Sequence, residues 1–461
     1  MTKSHKFHWS ILREYDIRGV IGKTLDTDDA YAIGRAFGTM VIRNLGKTVT
    51  VGYDGRISSP EIEASLTQGL VDSGIAVIRL SLGPTPMVYF ASHALNTDGA
   101  VMITGSHNPG DYNGFKMVMD NKPFYGKDIL RLSDIAANAD YESGKGFTVY
   151  TSIIEEYINR IADDYHGSRE LKIAWDSGNG VTGPFLKALT HHIPGEHIVI
   201  NAKVDGTFPN HHPDPTVPEN LIQLQEVVLN EKCDLGIAFD GDGDRLGVID
   251  SKGRIIWGDQ LMSIYAEEVL KSNPGAAIIA DVKSSDFLFE DIKAKGGDAI
   301  MWRTGHSLIK EKMAESGALL AGEMSGHIFF KDKYYGYDDA LYAAVRLISI
   351  LASKEQSLAD IKDAMPEMVN TPELRFQCDD DIKFKVVDDV RDRLIKKGVK
   401  INDIDGVRVK SDKGWWLLRA SNTQDVLVAR CEASNDDDLG DLKNILINEL
   451  NYSGVKAAIF A

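Results

Sequence analysis

Three times along the chain a short apolar run ends on an aspartate, passes through a polar loop carrying glycine or serine, and gives way to an amphipathic stretch and a further apolar run. Residues 49–54, 172–176 and 277–281 open these units. Short apolar runs alternating with helix-period stretches predict α/β units built around mixed or parallel sheets. Downstream in each unit another apolar strand, at 100–103, 235–239 and 318–321, runs into a loop dense in polar residues, at 105–114, 240–245 and 322–327. Loops at the carboxyl ends of strands are where α/β sheets place their chemistry, so three similar domains would each offer one loop to a shared site. Glycine-rich loops after strands are also ordinary turns; the joint recurrence is what sets these apart.

The carboxyl-terminal part follows another pattern. A strand-like stretch at 373–376 leads through a charged helix to strands at 406–410, 415–418 and 426–432 and a closing helix, which predicts a small α+β domain. Boundaries fall near Tyr150, before a helical 153–165; near Arg254; and near Pro366, where Met365-Pro366 through Thr371-Pro372 breaks the preceding helix. The expected domains are therefore 1–150, 151–254, 255–366 and 367–461. The fold class is α/β: three similar α/β domains with mixed sheets, then a C-terminal α+β domain.

Composition narrows the function. With 461 residues, 43% of them hydrophobic, the chain can fill several cores. Lys and Arg total 51 against 68 Asp and Glu, a net charge of −17 that repels nucleic acid, and no Lys/Arg-rich block offsets it. A small anion remains a suitable ligand if cations gather in one cleft, and the motif loops carry Arg18, Lys116, Arg245, Lys283 and Arg419; the alternative is that these are solvated surface charges. Cys233, Cys378 and Cys431 are far apart and odd in number, which reads as buried thiols in a reducing cytoplasm. Residues 1–9 lack an apolar core of the secretory kind, and no apolar run reaches the length of about 18 residues that a membrane helix needs, so a soluble cytoplasmic protein is expected.

Two loops carry the strongest chemistry. In Thr104-Gly105-Ser106-His107-Asn108-Pro109, Asn-Pro forces a turn that exposes the Ser106 hydroxyl at the tip of a strand. Asn113-Gly114-Phe115-Lys116 follows, and a lysine returning beside that hydroxyl can offset phosphate charge or move a proton. His107 reads equally as a hydrogen-bonding neighbour or a turn histidine. In Asp240-Gly241-Asp242-Gly243-Asp244-Arg245 the glycines let the backbone curl so that three carboxylates converge on one cation. A calcium EF-hand would need a glutamate at its twelfth position and flanking helices; Ser251 stands there, after a strand-like 235–239. A hydroxyl nucleophile beside a hard divalent cation suggests phosphoryl transfer through a serine, with Mg²⁺ as the metal.

Two further loops suit a sugar phosphate. Gly322-Glu323-Met324-Ser325-Gly326-His327 offers a carboxylate and a hydroxyl at alternate residues, a spacing suited to adjacent sugar hydroxyls, or an ordinary polar turn. Arg419-Ala420-Ser421-Asn422-Thr423-Gln424 brings guanidinium, hydroxyl and amide donors to one loop and reads as a phosphate clamp. Lys283 and His306, in similar post-strand positions, are auxiliary cations or proton carriers.

These four loops, in this order and spacing, resemble the α-D-phosphohexomutase superfamily over essentially the whole chain. Supporting segments are Arg13-Glu14-Tyr15-Asp16-Ile17-Arg18-Gly19, Gly52-Tyr53-Asp54-Gly55-Arg56 and Gly83-Pro84-Thr85-Pro86, all similar to the bacterial phosphomannomutase/phosphoglucomutase branch. The resemblance implies four domains around a central cleft, and a phosphoserine that donates its phosphoryl group to a hexose monophosphate. The 1,6-bisphosphate so formed turns over and returns its other phosphate, moving phosphate between O1 and O6.

Carried over, Ser106 would be the phosphorylated residue and would hold Mg²⁺ with Asp240, Asp242 and Asp244. Lys116 and Arg245 would assist proton transfer and charge stabilisation. Glu323 and Ser325 would bind sugar hydroxyls; Arg419, Ser421, Asn422 and Thr423 would grip the phosphate that is not transferred; and Tyr15, Arg18, Lys283 and His306 would line the cleft. Glucose 1,6-bisphosphate or mannose 1,6-bisphosphate would be the activator, hexose phosphates the substrates, and the protein a monomer or weak dimer without nucleic acid or membrane partners. Met324 resembles the branch that accepts mannose and glucose phosphates, as against phosphoglucosamine mutase. A phosphoserine-using sugar phosphatase would release inorganic phosphate, and a non-catalytic sugar-phosphate binder would tolerate loss of Ser106. The last domain, joined at 366–372, is expected to act as a lid that shields the intermediate.

Overall fold

The computed structural model describes residues 3–422 and 425–455 and contains four sheets. In the first, Gly99–Ile103, Thr48–Tyr53, Ala76–Leu82 and Phe147–Tyr150 run parallel, while Tyr112–Met119 and Ile17–Val20 add antiparallel neighbours. In the second, Gly195–Ile200, Leu171–Asp176 and Leu235–Phe239 are parallel and Leu246–Asp250 antiparallel. Its last strand, Ile255–Ile256, pairs with Leu246–Asp250 and so extends just past the boundary expected at Arg254. The third has Asp298–Trp302, Ala277–Asp281 and Leu320–Gly322 parallel and Ile328–Phe330 antiparallel. The fourth is antiparallel throughout, with Val426–Ala433 and Gly414–Ala420 at its centre.

The first three sheets share one construction. A fully buried parallel strand runs out into a loop, and the chain returns along it as an antiparallel neighbour: Gly99–Ile103 to Tyr112–Met119, Leu235–Phe239 to Leu246–Asp250, and Leu320–Gly322 to Ile328–Phe330. All three polar loops singled out in the sequence are the tips of these hairpins. The parallel strands are covered on both faces, so they read as unbroken apolar runs.

Helices supply that cover. Ala340–Ala352 is buried almost all round, as its near-continuous apolar sequence requires, and belongs to a core shared by the second and third sheets. Its one charge, Arg346, is held by Asp332 at 3.0 and 2.8 Å and by Glu268. In the first domain Thr27–Arg43 starts at a capping box in which Asp26 accepts from Asp28 and Asp29 N–H and Asp29 answers to Asp26 N. It crosses Ser59–Ser73 at two glycines: a Cβ on Gly34 would stand 2.2 Å from Leu66 O, and one on Gly69 2.2 Å from Tyr31 O.

The last domain has its own core and meets the third through polar groups. Arg408 donates to Val282 O, to Ser284 O at 2.9 Å and to Asp286 at 2.6 Å, and Arg430 donates to Lys283 O. Glu432 accepts from Ser285 Oγ at 2.7 Å and Trp415 Nε1 at 2.8 Å. The apolar part of this contact is small, with Val282, Trp415 and Leu417 at its centre. Such an interface suits relative domain motion. All three cysteines are buried free thiols, and no helix among the described residues is long and apolar enough to cross a membrane.

The helix crossing gives a test with two signs. Gly34→Ala is expected to lower stability by about 1–3 kcal/mol, because the added methyl meets backbone that must move. Gly440→Ala, in the helix Asp436–Tyr452 where nothing lies within 4 Å, is expected to raise it by up to about 1 kcal/mol. Urea midpoints measure both, and a Gly34→Ala midpoint at or above wild type would contradict the close packing.

Candidate active site

The aspartate loop closes around its own first residue. Asp240 Oδ1 accepts backbone N–H groups from Gly243, Asp244 and Arg245 at 3.0, 3.1 and 3.2 Å, and Oδ2 accepts the Ser106 hydroxyl at 2.9 Å. Asp242 Oδ2 takes Thr85 Oγ1 at 2.5 Å and Lys116 Nζ at 2.7 Å, and Lys116 also bonds Asp244 Oδ2. All three carboxylates are fully buried and offer oxygens within 4.8 Å of one another. Two of those oxygens, Asp242 Oδ1 and Asp244 Oδ1, are buried without a hydrogen-bond partner. Orphaned buried carboxylate oxygens facing one point fit a hard divalent cation.

Electrostatics agree. Burial, with Asp242 and Asp244 beside it, pushes the Asp240 carboxyl well above the usual range. Burial also opposes ionisation of Asp242, but Lys116 outweighs it and holds that group low. Burial works against the Lys116 charge, and Asp242 and Asp244 overcome it, leaving an ammonium. A cation among the three carboxylates would relieve the repulsion that raises Asp240.

Lys116 sits in the return strand of the first hairpin, Tyr112–Met119, where the pleat aims it at the second domain. There its ammonium bonds Asp242 and Asp244, whose neighbour Asp240 holds the Ser106 hydroxyl. His107 Nδ1 lies 3.2 Å from Ser106 Oγ, and burial lowers its pKa well below the usual value, with Arg245 and Arg18 adding to the effect. Arg18 spans the serine loop by donating to Asn108 Oδ1 at 2.6 Å and to Asp16.

The remaining residues face this cluster from the third and fourth domains. Glu323 is buried and accepts Gly305 N at 2.6 Å, and burial raises its pKa; Ser325 is half-buried in the same loop. Lys283 pairs with Glu373 at 3.2 Å and lies 3.9 Å from Asp281. His306, its pKa driven well down by burial, stacks on His327 with centroids 5.6 Å apart and meets Tyr15 edge-on at 6.2 Å. Tyr15 donates to Thr304 O at 2.8 Å and receives Asn422 Nδ2, so one hydroxyl joins the first, third and fourth domains; burial pushes its pKa up to about 12. Arg419 is buried with Nε on Asp405 at 2.9 Å, and Asp405 also accepts Thr304 N at 3.0 Å. Ser421 is buried beside them, and Thr423 lies outside the described residues. Arg18, Lys116, Arg245, Lys283 and Arg419 are thus each held in buried or half-buried contacts and are not solvated surface charges.

His327 closes the sugar loop in the sequence, yet nothing there marked it as a contact. The structure gives it three. Arg245 Nε donates to its Nε2 at 2.9 Å, which leaves the ring proton on Nδ1, facing Asp338 Oδ2 at 2.9 Å and Asp244 Oδ1 at 3.7 Å. That tautomer makes Nδ1 a donor standing between two carboxylates, and Asp244, His327 and Asp338 form a buried cluster in which His327 Nδ1 and Asp338 Oδ2 have no hydrogen-bond partner. Lys310 completes it, 3.0 Å from Asp338. Asp338 and Asp405 lie outside the loops they serve, and no local spacing pointed to them.

Comparison with known proteins places this geometry. Four family models match along the chain: phosphoglucomutase/phosphomannomutase alpha/beta/alpha domain I over residues 10–142, domain II over 155–253, domain III over 257–369, and the C-terminal domain over 373–449. The phosphomannomutase/phosphoglucomutase of Pseudomonas aeruginosa strain PAO1 is 45% identical over 442 residues, covering 96% of this chain and 95% of that protein. The phosphoglucomutase of Neisseria meningitidis serogroup A is 43% identical, covering 94% of this chain and 95% of its own. A solved structure of a phosphoglucomutase/phosphomannomutase family protein from Burkholderia thailandensis superposes with a TM-score of 0.92 at 42% identity, covering 98% of this chain and 99% of that one. Matched by all four domain models, and by relatives along almost its entire length, the chain belongs to the phosphoglucomutase/phosphomannomutase family of the α-D-phosphohexomutase superfamily.

Proposed function

We propose that this protein interconverts the 1- and 6-phosphates of mannose and glucose through a phosphorylated Ser106 and a hexose 1,6-bisphosphate. The observation that carries the reading is the buried junction of the first two hairpins, where the serine hydroxyl, three aspartates and Lys116 meet. A divalent cation, taken here as Mg²⁺, held by Asp240, Asp242 and Asp244 would neutralise oxygens of the serine phosphate and so ease its transfer in either direction.

The chain's own groups do the rest. In one half-reaction the P–Oγ bond of phosphoserine breaks and a new P–O bond forms to the free hydroxyl of a hexose monophosphate, whose proton passes to a basic group of the site. In the other half, after the bisphosphate has turned over, its second phosphate returns to Ser106 Oγ. Lys116 and Arg245 offset charge on the moving phosphoryl group and assist transfer of the proton. Glu323 and Ser325 accept and donate to adjacent sugar hydroxyls, while Arg419, Ser421, Asn422 and Thr423 hold the phosphate at rest; Arg18, Lys283, His306 and Tyr15 line the path between. A loop that grips a phosphate common to both orientations, paired with one that reads hydroxyls, lets one site serve both halves.

Exclusion of water separates a mutase from a phosphatase, and two features support exclusion: Ser106 is 1% exposed, and the Tyr15 to Asn422 contact draws the last domain over the cleft. Three buried free thiols fit a reducing compartment, for which we take the cytoplasm.

Conversion of mannose 1-phosphate and of glucose 1-phosphate to their 6-phosphates is expected with Mg²⁺ and a trace of glucose 1,6-bisphosphate, and Ser106→Ala is expected to lower kcat by about 10³-fold or more. Release of inorganic phosphate by the wild type, or an unimpaired variant, would contradict the reading. Removing divalent ions with a chelator should abolish turnover, and Mg²⁺ at about 100 times its Kd should then add about 2.7 kcal/mol of stability to the wild type but not to Asp242→Asn. Melting curves with and without Mg²⁺ measure this.

A further inference from the structure

The loop that carries Ser106 is held by a buried guanidinium. Arg56 is 2% exposed, and all five of its N–H groups are engaged. Nε donates to Asp54 Oδ2 at 3.1 Å. One terminal nitrogen donates to Pro109 O and, at 2.9 Å, to Tyr112 O; the other donates to Ser106 O at 2.7 Å and Asn108 O at 2.6 Å. One side chain therefore gathers four carbonyl oxygens of a single loop, including that of the nucleophile itself.

Its partner holds the other side of the same loop. Asp54 accepts Thr104 Oγ1 at 2.8 Å and Gly105 N at 3.2 Å, and Thr104 Oγ1 in turn accepts Ser106 N at 2.7 Å. This support has something to hold: Ser106 adopts φ +48°, the left-handed region that a residue with a Cβ avoids unless its surroundings impose it. Gly105 packs directly on the guanidinium, where a Cβ would stand 2.4 Å from Arg56 Cζ. Phe208 of the second domain covers the group from outside, its ring centroid 5.4 Å from Cζ.

We propose that Arg56, oriented by Asp54, is the positioning residue of the nucleophile. By fixing the four carbonyls it imposes the strained conformation that aims Ser106 Oγ at Asp240, and so sets the rate at which phosphate moves on and off the serine. Arg56 touches neither substrate nor phosphate and acts through Ser106 alone. The planar fork is essential to this role, since a lysine ammonium presents three donors from one point and cannot span four carbonyls. The inference rests on the mutase reading above.

Arg56→Lys is expected to keep a wild-type circular dichroism spectrum and the melting response to Mg²⁺, while kcat falls about 10²-fold with KM changed by less than about threefold. In a single turnover with glucose 1,6-bisphosphate, followed by intact-protein mass, the rate of phosphate uptake by Ser106 is expected to fall in step. A kcat within about twofold of wild type, or a loss confined to KM, overturns the proposal. Should the lysine variant fail to fold, Gly105→Ala, which presses on the guanidinium from the loop side with Arg56 in place, carries the same expectation and the same overturning result. The mutase reading fails on the wild type alone, by absence of turnover; this inference fails on the ratio of variant to wild type.

Discussion

Three aspartates with no solvent exposure, met by a single lysine, are the constraint on which the arrangement of the first two domains depends. Burying one unpaired carboxylate costs several kcal/mol, and three side by side would force the domains apart. The structure answers with backbone amides for Asp240, a threonine and a lysine from the first domain for Asp242, and the same lysine for Asp244. The threonine and the lysine come from the other domain, so the polar needs of one loop weld the two sheets together at the point where the serine stands. What the donors leave unmet, two orphaned oxygens and a surplus of negative charge, is what a cation supplies. Stability and chemistry thus use the same groups.

The outer half of the site is built on the opposite principle. The last domain meets the third through arginines donating to backbone carbonyls, and meets the first through one tyrosine hydroxyl. Such contacts are strong enough to set an orientation and polar enough to be exchanged for water, which suits a domain that would open to a sugar phosphate and shield the bisphosphate while it turns over. Tyr15 is the meeting point, reading the carbonyl of Thr304 and the amide of Asn422 together.

Much of this was legible in the sequence because it is local. The parallel strands are unbroken apolar runs, and the loops at their ends are dense in residue types that packing does not need, so 235–239 was placed to the residue and the Asp240, Asp242 and Asp244 loop at its tip. The equivalence of the three loops as hairpin tips was not legible, since the return strands at 246–250 and 328–330 show apolar character but not their direction. Lys116 was expected beside the hydroxyl because sequence gives nearness along the chain; its true partners come from a different sheet. His327, Asp405 and Arg56 escaped for the same reason, each doing its work through contacts between segments distant in sequence. Arg56 stood in plain view within Gly52-Tyr53-Asp54-Gly55-Arg56, but its four carbonyl partners lie fifty or more residues away.

The central claim is that phosphate on Ser106 passes to sugar and not to water. Rapid-quench measurement of a single turnover, starting from protein carrying radiolabelled phosphate and an excess of glucose 1-phosphate, tests it most directly. The account predicts that label leaves Ser106 at a rate no slower than kcat and appears first in glucose 1,6-bisphosphate and then, as the unlabelled phosphate returns to Ser106, in glucose 6-phosphate, the two together gaining one label for each lost. Label appearing as inorganic phosphate, or staying on the protein while isomerisation proceeds, would contradict it.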